Sequence, residues 1–596
     1  MASSPVPTIL RASCAFVLAA MLSACGGGGG SSTTPPPPVT PSYAVTLAAL
    51  NPNAVNPGGS ATSTITVAPT GGYTGTVTLS CAVSGGGTPP PTCAIGTSSV
   101  SITSSTSGTS SLTVTTASNT PAATYTITVN AADANKTAPT DGPQTLQLAT
   151  NSGLIQHIVI IFQENRTPDN LFQDPVLIAN GADIASQGIN SSGATVPLVS
   201  TTLGVDYDNS HKHDAFEEMC DLDTTSNTCK MDGADLIEIT CSKGATSCPP
   251  ANPNFMYVQA TDVQPYFDMA EQYTFADRMF QTNQGPSFPA HQFILSGTSA
   301  PSVGSNLFVA ENPLGVATSS ADAGCTAPSA EYVNLIDPSG SETSNAAIFP
   351  CFEHPALTDE LNTAGISWRY YAPMPGSIWV APNAIQHICM PQTVSGVLTC
   401  TGPDWTGTRP NVVFDETTVL TDIANGQLPQ VSWVIPTGNN SDHAGMTTAT
   451  GGPSWVASVV NAIGNSSYWA NTTIIIAWDD WGGWYDHVSP PKIVNDGTSW
   501  GSGYIYGFRV PMIVMSPYAK PKYISHVNHD FGSILKLIEE TFALPALGYA
   551  DSNALDDLSD CFNYAQTPNT FQTINAPLKA EHFLNDKSPK TPPDDD

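Results

Sequence analysis

Two stretches of this chain run apolar and then stop at oxygen ligands. The first, Gln156-His157-Ile158-Val159-Ile160-Ile161-Phe162-Gln163, ends on Glu164, Asn165 and Arg166. The second, Thr473-Ile474-Ile475-Ile476-Ala477-Trp478, ends on Asp479 and Asp480 and then on Gly482-Gly483, whose bare backbone can come close to a bound group. If both runs are buried strands of an α/β sheet, their polar ends lie just beyond the strand carboxyl ends, where such sheets bind ligands. Three carboxylates and one amide oxygen then converge as hard ligands for a divalent cation, and an all-oxygen set suits several hard cations without choosing among them.

Ser287, in Gln284-Gly285-Pro286-Ser287-Phe288-Pro289-Ala290-His291, stands between a helical stretch and the apolar run Phe293-Ile294-Leu295. A helix or turn entrance offers free backbone N–H groups to a phosphate, and a serine oxygen there is placed to attack phosphorus. The same position equally suits a helix cap or a turn. Histidines supply what an acidic site lacks, positive charge or proton donors for phosphoryl oxygens and a leaving group. The candidates are His443 after Asp442, His211 in Asn209-Ser210-His211-Lys212-His213, and His387 in Ala384-Ile385-Gln386-His387-Ile388, with His213 replacing His211 if the register is off by two. His291 carries no assigned role, His526 and His529 open the helix that starts near Phe531 and could equally be its capping and packing residues, and His487 follows the carboxylate pair closely enough to orient its loop by hydrogen bonding.

The blocks HIVIIFQENRTPDNLF, GPSFPAHQFILSGTS, IIIAWDDWGGWYDHVSPP and GFRVPMIVMSPYAK resemble, in the same order, those of the bacterial phosphoesterase family that joins acid phosphatases to phospholipases C. The resemblance covers roughly residues 154–550. It implies an alkaline-phosphatase-like α/β fold, one bound divalent metal ion of unstated identity, and a hydroxyl nucleophile that is transiently phosphorylated. By that resemblance Ser287 is the nucleophile and touches the cation held by Glu164, Asn165, Asp479 and Asp480. His211 and His443 match family blocks, and His387 matches a third more loosely. Serine at 287, and Asp480 where the phospholipase branch usually has glutamate, point toward a phosphomonoesterase of acid-phosphatase type. A phospholipase C for phosphocholine lipids is the alternative, kept open by Trp478, Trp481, Trp484 and Tyr485, rings that could cage a quaternary ammonium. A surface adhesin on a degenerate scaffold is a third reading, opposed by the fact that every metal and nucleophile position is filled.

These residues need a sheet to position them. From residue 154 onward, apolar strands alternate with helical patterns at 265–280, 454–464 and 531–542, which predicts a largely parallel sheet flanked by helices in a domain over 154–585. Before it, residues 43–148 are rich in Thr, Ser, Val and Gly and alternate with period two, as in Ser63-Thr64-Ile65-Thr66-Val67. That texture predicts an antiparallel all-β sandwich, and NPGGSAT and TPAATYTITV resemble bacterial immunoglobulin-like modules. The module holds no titratable cluster, which argues against catalysis there; a stalk or an adhesion module is expected, with composition favouring the stalk. Residues 586–596 read as a flexible tail.

Arg11, the apolar residues 14–20 and Leu22-Ser23-Ala24-Cys25 read as an export signal over 1–24. The last four resemble a lipobox, which implies cleavage before Cys25, a lipid anchor on its thiol and a membrane-tethered exported protein. Gly26 at the next position leans toward the outer membrane, and residues 25–42, rich in Gly, Ser and Pro, suit a spacer. Without Cys14 and Cys25, 13 − 2 = 11 cysteines remain. They fall in close pairs, 81 with 93, 220 with 229, 241 with 248, 325 with 351 and 389 with 400, as disulfides do in an oxidising compartment, with Cys561 left over. The formal charge, 17 − 49 = −32, repels phosphate backbones and argues against nucleic acid as a partner. The expected substrates are small phosphate esters or phospholipids.

Overall fold

The two apolar runs are adjacent strands, and their pairing sets the architecture of the larger part of the chain. In the computed structural model, which describes residues 41–590 except 52, 53, 56, 86, 118, 119, 122, 136, 137, 151, 152, 247, 315–322, 338, 339, 447, 493–505 and 565, nine strands form one mixed sheet among the described residues. They are β1 (His157–Gln163), β2 (Thr274–Phe280), β3 (Trp368–Ala372), β4 (Val412–Phe414), β5 (Val431–Val434), β6 (Thr472–Trp478), β7 (Arg509–Met515), β8 (Tyr523–Ser525) and β9 (His529–Asp530). Their order is β4-β3-β5-β1-β6-β7-β2-β8, with β9 also paired to β2. Strand β7 runs antiparallel to both neighbours, β6 and β2. The other pairs are parallel. Ile158–Ile161 and Ile474–Ile476 are buried throughout, which is why both strands read as continuous apolar runs rather than as alternation. The β1–β6 register runs from His157 opposite Thr472 to Gln163 opposite Trp478, so Glu164 and Asp479 leave the sheet side by side.

The helices that matter to the site are α1 (Pro168–Leu171), α2 (Ala260–Gln272), α3 (Ser287–Ser296), α4 (Gly451–Gly464) and α5 (Phe531–Phe542). Helix α5 has the expected bounds and opens on Asp530, whose carboxylate accepts from Ser533 N. Helix α4 starts three residues before the expected 454. The expected helix over 265–280 is corrected. Helix α2 begins earlier, carries Pro265 inside it and ends at Gln272, and residues from Thr274 form β2. Pairing of β2 with β7 and β8, which buries nearly all of its residues, overrides the local apolar pattern.

Ahead of this domain, two sheets share a separate buried cluster. One joins Ser42–Leu47, Ser60–Thr70, Gly108–Thr115 and Thr92–Ile95; the other joins Ala54–Val55, Gln144–Thr150, Ala123–Asp133, Gly75–Ser84 and Ser99–Ile102. Val45, Ile65 and Leu112 from the first pack with Val77, Ile127 and Leu148 from the second. The larger core begins only at Ile155. All five expected cysteine pairs are disulfides, and Cys561 is free and buried among the described residues. The signal stretch, Cys25, nearly all of the spacer and the end of the tail lie outside the described residues. Among the described residues no helix is long and apolar enough to cross a membrane.

Because the two cores are separate, removal of residues 26–150 should leave hydrolysis of a small phosphate ester near the full-chain rate. A truncated protein with native circular dichroism but no activity would mean that the N-terminal β-rich region shapes the site.

Candidate active site

Glu164, Asn165, Asp479 and Asp480 are all fully buried at the carboxyl ends of β1 and β6. Asn165 turns the chain with φ of 62°, a left-handed conformation that asparagine tolerates better than most side chains. The turn is pinned by Asn165 N donating to Asp479 Oδ1 at 3.2 Å and by Arg166 N donating to Asp480 O at 3.0 Å. His211 Nδ1 lies 3.0 Å from Asn209 O, which can only accept, so Nδ1 carries the proton and Nε2 accepts from Asn165 Nδ2 at 3.1 Å. That bond aims the amide, leaving Asn165 Oδ1 without a hydrogen-bond partner among the described residues, as is Asp479 Oδ2. His213 instead reaches the Gln284 carbonyl, so His211 is the one brought to the cluster.

Ser287 is the first residue of α3, and its Oγ donates to Asp480 Oδ2 at 3.1 Å. Its first turn offers fewer donors than expected. Phe288 N is taken by Asn312 Oδ1 at 2.9 Å, and Pro289 has no N–H. One helical turn after Ser287, His291 Nε2 faces Glu164 Oε1 at 3.5 Å and Asp479 Oδ2 at 3.6 Å. Burial pushes this imidazole down to about 4 against the pull of Asp479, so it is neutral. Sequence reasoning left His291 without a role; its spacing of four from Ser287, which puts both on one helix face, was the available signal. Buried like-charged oxygens, with acceptor atoms that no donor satisfies, fit a divalent cation. Donor atoms of Glu164, His291 and Asp479 lie within 4.8 Å of one another.

His443 stands beside His211, ring centroids 5.8 Å apart, and donates from Nδ1 to Ala444 O at 2.7 Å. Its loop is tied down through Asp442. Arg166 donates from Nε at 2.8 Å and from Nη2 at 2.6 Å to the Asp442 carbonyl, while Asp442 Oδ2 accepts from Tyr266 Oη at 2.8 Å and Trp478 Nε1 at 3.0 Å. Burial raises the Asp442 carboxyl to about 6, with Arg166 opposing. Gly482 and Gly483 serve packing rather than a ligand. A Cβ on the first would sit 2.2 Å from Asn165 O, and on the second 2.4 Å from Asn209 Cβ. Trp478, Trp481 and Trp484 are fully buried and Tyr485 nearly so, with Trp484 over the Arg166 guanidinium at 4.8 Å, Trp481 against Phe508 and Tyr485 on Phe255. These rings are core and do not cage a head group.

His387 is not joined to the cluster by any described contact. Its Nδ1 bonds Glu353 at 2.8 Å and its Nε2 bonds Asp359 at 3.1 Å, and the bond to Asp359 leads in raising it to about 8. Asp169, Asp486 and His487 form a second acidic group, but a guanidinium occupies it. Arg509 donates from Nε to Asp486 at 3.0 Å and from Nη2 to Asp169 at 3.3 Å. His487 bridges Asp169 at 2.7 Å and Asp183 at 3.0 Å. Burial pulls His487 down, yet hydrogen bonding and charge from Asp169 prevail and raise it to about 9. A cavity of about 300 Å³ lined by Trp368, Arg369, Arg409 and Pro429 opens at the opposite, amino-terminal ends of β3 and β5 and contains none of these groups.

The profile of the phosphoesterase family matches residues 155–545, well over half of the chain. The chain belongs to the phosphoesterase family. It is similar to phospholipase C A of Mycobacterium tuberculosis, 24% identical over 472 residues that cover 71% of this chain and 80% of the relative. It is also similar to the non-hemolytic phospholipase C of Pseudomonas aeruginosa, 24% identical over 455 residues that cover 70% and 58%. Phospholipase C B of M. tuberculosis is 32% identical over 167 residues, 25% of this chain and 32% of the relative. A solved Vibrio parahaemolyticus protein in the alkaline phosphatase superfamily aligns at 11% identity over 49% of this chain and 64% of its own, with a TM-score of 0.27, too slight a likeness to bear on the argument. Family and relatives together make this phosphoesterase a phosphoric ester hydrolase with a mixed α/β catalytic domain.

Two outcomes follow from this geometry. Ser287→Ala should melt like the wild type but lose nearly all turnover on p-nitrophenyl phosphate, for want of an attacking oxygen; a near wild-type rate would remove Ser287 from the chemistry. His487, at about 9 when folded and 6.5 ordinarily, contributes stability that is fully present below pH 6.5 and lost as pH rises through about 9. The melting-temperature gap between wild type and His487→Gln should therefore be widest below pH 6.5 and shrink by about pH 10, as a melting series across pH would record.

Proposed function

We propose that this phosphoesterase is an exported, metal-dependent phosphomonoesterase that works through a phosphoserine on Ser287. The observation that carries the reading is the Ser287 Oγ to Asp480 Oδ2 hydrogen bond in a corner of buried oxygen ligands. In the proposed reaction Ser287 Oγ attacks phosphorus in line while Asp480 accepts the hydroxyl proton. The ester oxygen departs and takes a proton from the imidazolium of His443, whose Nδ1–H is held by the Ala444 carbonyl, while His211 orients the Asn165 amide. Water then attacks the phosphoserine, returning the serine hydroxyl and releasing phosphate. Glu164, Asn165, Asp479 and Asp480 would hold a divalent cation that also touches Ser287 Oγ, and it would supply a Lewis acid that lowers the cost of the serine alkoxide.

The lipobox-like Leu22-Ser23-Ala24-Cys25 and the five disulfides support export and a lipid tether at Cys25, with the sandwich as a stalk below an alkaline-phosphatase-like domain. A second reading, phospholipase C action on phosphocholine lipids, is favoured by the names of the relatives. Against it, the aromatic residues beside the carboxylate pair are committed to the core.

Assays of the chain from residue 26 on p-nitrophenyl phosphate and on phosphatidylcholine separate the two. The expected result is phosphate release from the monoester and little phosphocholine; phosphocholine release at the higher rate would overturn the proposal in favour of the second reading. Chelation should abolish turnover and lower the melting temperature, because three buried carboxylates would be left without a counter-charge. Full activity in protein free of metal by elemental analysis would contradict the metal-dependent mechanism.

A further inference from the structure

We infer that His291 is a nitrogen ligand of the cation at this site, so that the site takes a first-row transition ion such as Zn2+, Fe2+ or Co2+ in preference to Mg2+ or Ca2+. This rests on the metal-dependent reading above and extends it to the chemical class of the ion. His291 follows Ser287 by four residues on α3, so both side chains come off one helix face toward the ends of β1 and β6. Tyr370, from β3, donates its hydroxyl proton to Trp379 O at 2.5 Å, which leaves it the acceptor toward His291 Nδ1 at 3.4 Å. Nδ1 is therefore the protonated nitrogen, and Nε2 presents a lone pair.

That lone pair is aimed at Glu164 Oε1 and Asp479 Oδ2, and Nε2 has no hydrogen-bond partner among the described residues. An imidazolium paired with these carboxylates would draw in to about 2.7–2.9 Å, the usual length of a charge-assisted bond. The observed 3.5 and 3.6 Å are longer. With metal–ligand bonds of about 2.1 Å, the edge of a tetrahedral site is about 3.4 Å, close to both separations. Three electron-rich atoms at such spacing repel one another in a dry corner unless a cation joins them. The ring stacks on Trp379, centroids 6.3 Å apart, and packs against Phe162 at 6.2 Å, so it is held in this orientation. Mg2+ and Ca2+ favour all-oxygen ligand sets, whereas imidazole suits Zn2+, Fe2+ and their neighbours.

The test loads Co2+, as a probe with an informative spectrum, into chelator-stripped protein from residue 26. Proton NMR of the wild type should show a far-shifted resonance that vanishes in D2O, the Nδ1–H of a cobalt-bound imidazole. It should disappear in His291→Gln and persist in His211→Gln and His443→Gln. His291→Gln should also weaken Co2+ roughly tenfold or more, the scale on which even outer-shell changes weaken a metal site, while Mg2+ affinity changes little. Absence of the resonance from Co2+-loaded wild type overturns the inference and needs no variant to fold. Its survival in His291→Gln, or equal wild-type affinity for Mg2+ and Co2+, overturns it as well. Co2+ binding without the resonance, in an enzyme that hydrolyses the monoester, leaves the proposed reaction standing and removes only the nitrogen ligand. Failure to bind Co2+, Zn2+ or Mg2+ at all removes the metal reading and this inference together.

Discussion

Strands β1 and β6 end side by side, and each releases a carboxylate into the same water-poor corner, with Asp480 next in line. Like charges about 4 Å apart repel by about 4 kcal/mol at the effective dielectric of a protein, so such a corner is stable only if the backbone around it is rigid and a positive charge answers it. Much of the surrounding geometry follows from that need. The left-handed turn at Asn165 sends its amide N–H groups to His211 and its oxygen back to the corner. Gly482 and Gly483 let the β6 loop lie directly on the Asn165 and Asn209 backbones. Ser287 meets Asp480 because α3 begins there.

A chain with 17 basic residues against 49 acidic ones has few cations to deploy, and among the described residues three arginines, Arg166, Arg369 and Arg509, are buried in structural contacts. Arg166 ties the Asn165 turn to the Asp442–His443 loop through the Asp442 carbonyl and reaches the Leu203 carbonyl as well. Arg509 joins the β6 loop to β2 through Asp486 and the Asp183 and Asp277 carbonyls. Guanidinium groups suit such work because their fixed fork of donors can satisfy several acceptors at once. Arg369 is likewise committed, pairing with Asp422, so all three guanidinium groups are engaged within the fold.

Much of this was legible in the residues themselves. Continuous apolar runs ending on Glu164-Asn165 and Asp479-Asp480 marked two buried strands, because a strand buried on both faces has no polar alternation to show. Close cysteine spacing marked all five disulfides, since short loops leave few other partners within reach. The pattern at 265–280 misled because an apolar segment of that length reads alike in a helix and in a buried strand until its neighbours are known. His387 resembled a site histidine in sequence, but the fold hands it to Glu353 and Asp359.

The sequence by itself determined the residue types available for chemistry, the β-rich texture of the first part and the two strands that end on Glu164 and Asp479, since these depend on local pattern and composition. Only the tertiary structure decided which side chains meet. It chose His211 over His213, brought His291 to the carboxylates, and sent the rings at 478, 481, 484 and 485 into the core. Those outcomes depend on contacts between segments far apart in the sequence, where α3, β3 and the ends of β1 and β6 pack together, and no local pattern encodes the direction in which a histidine or a tryptophan will face.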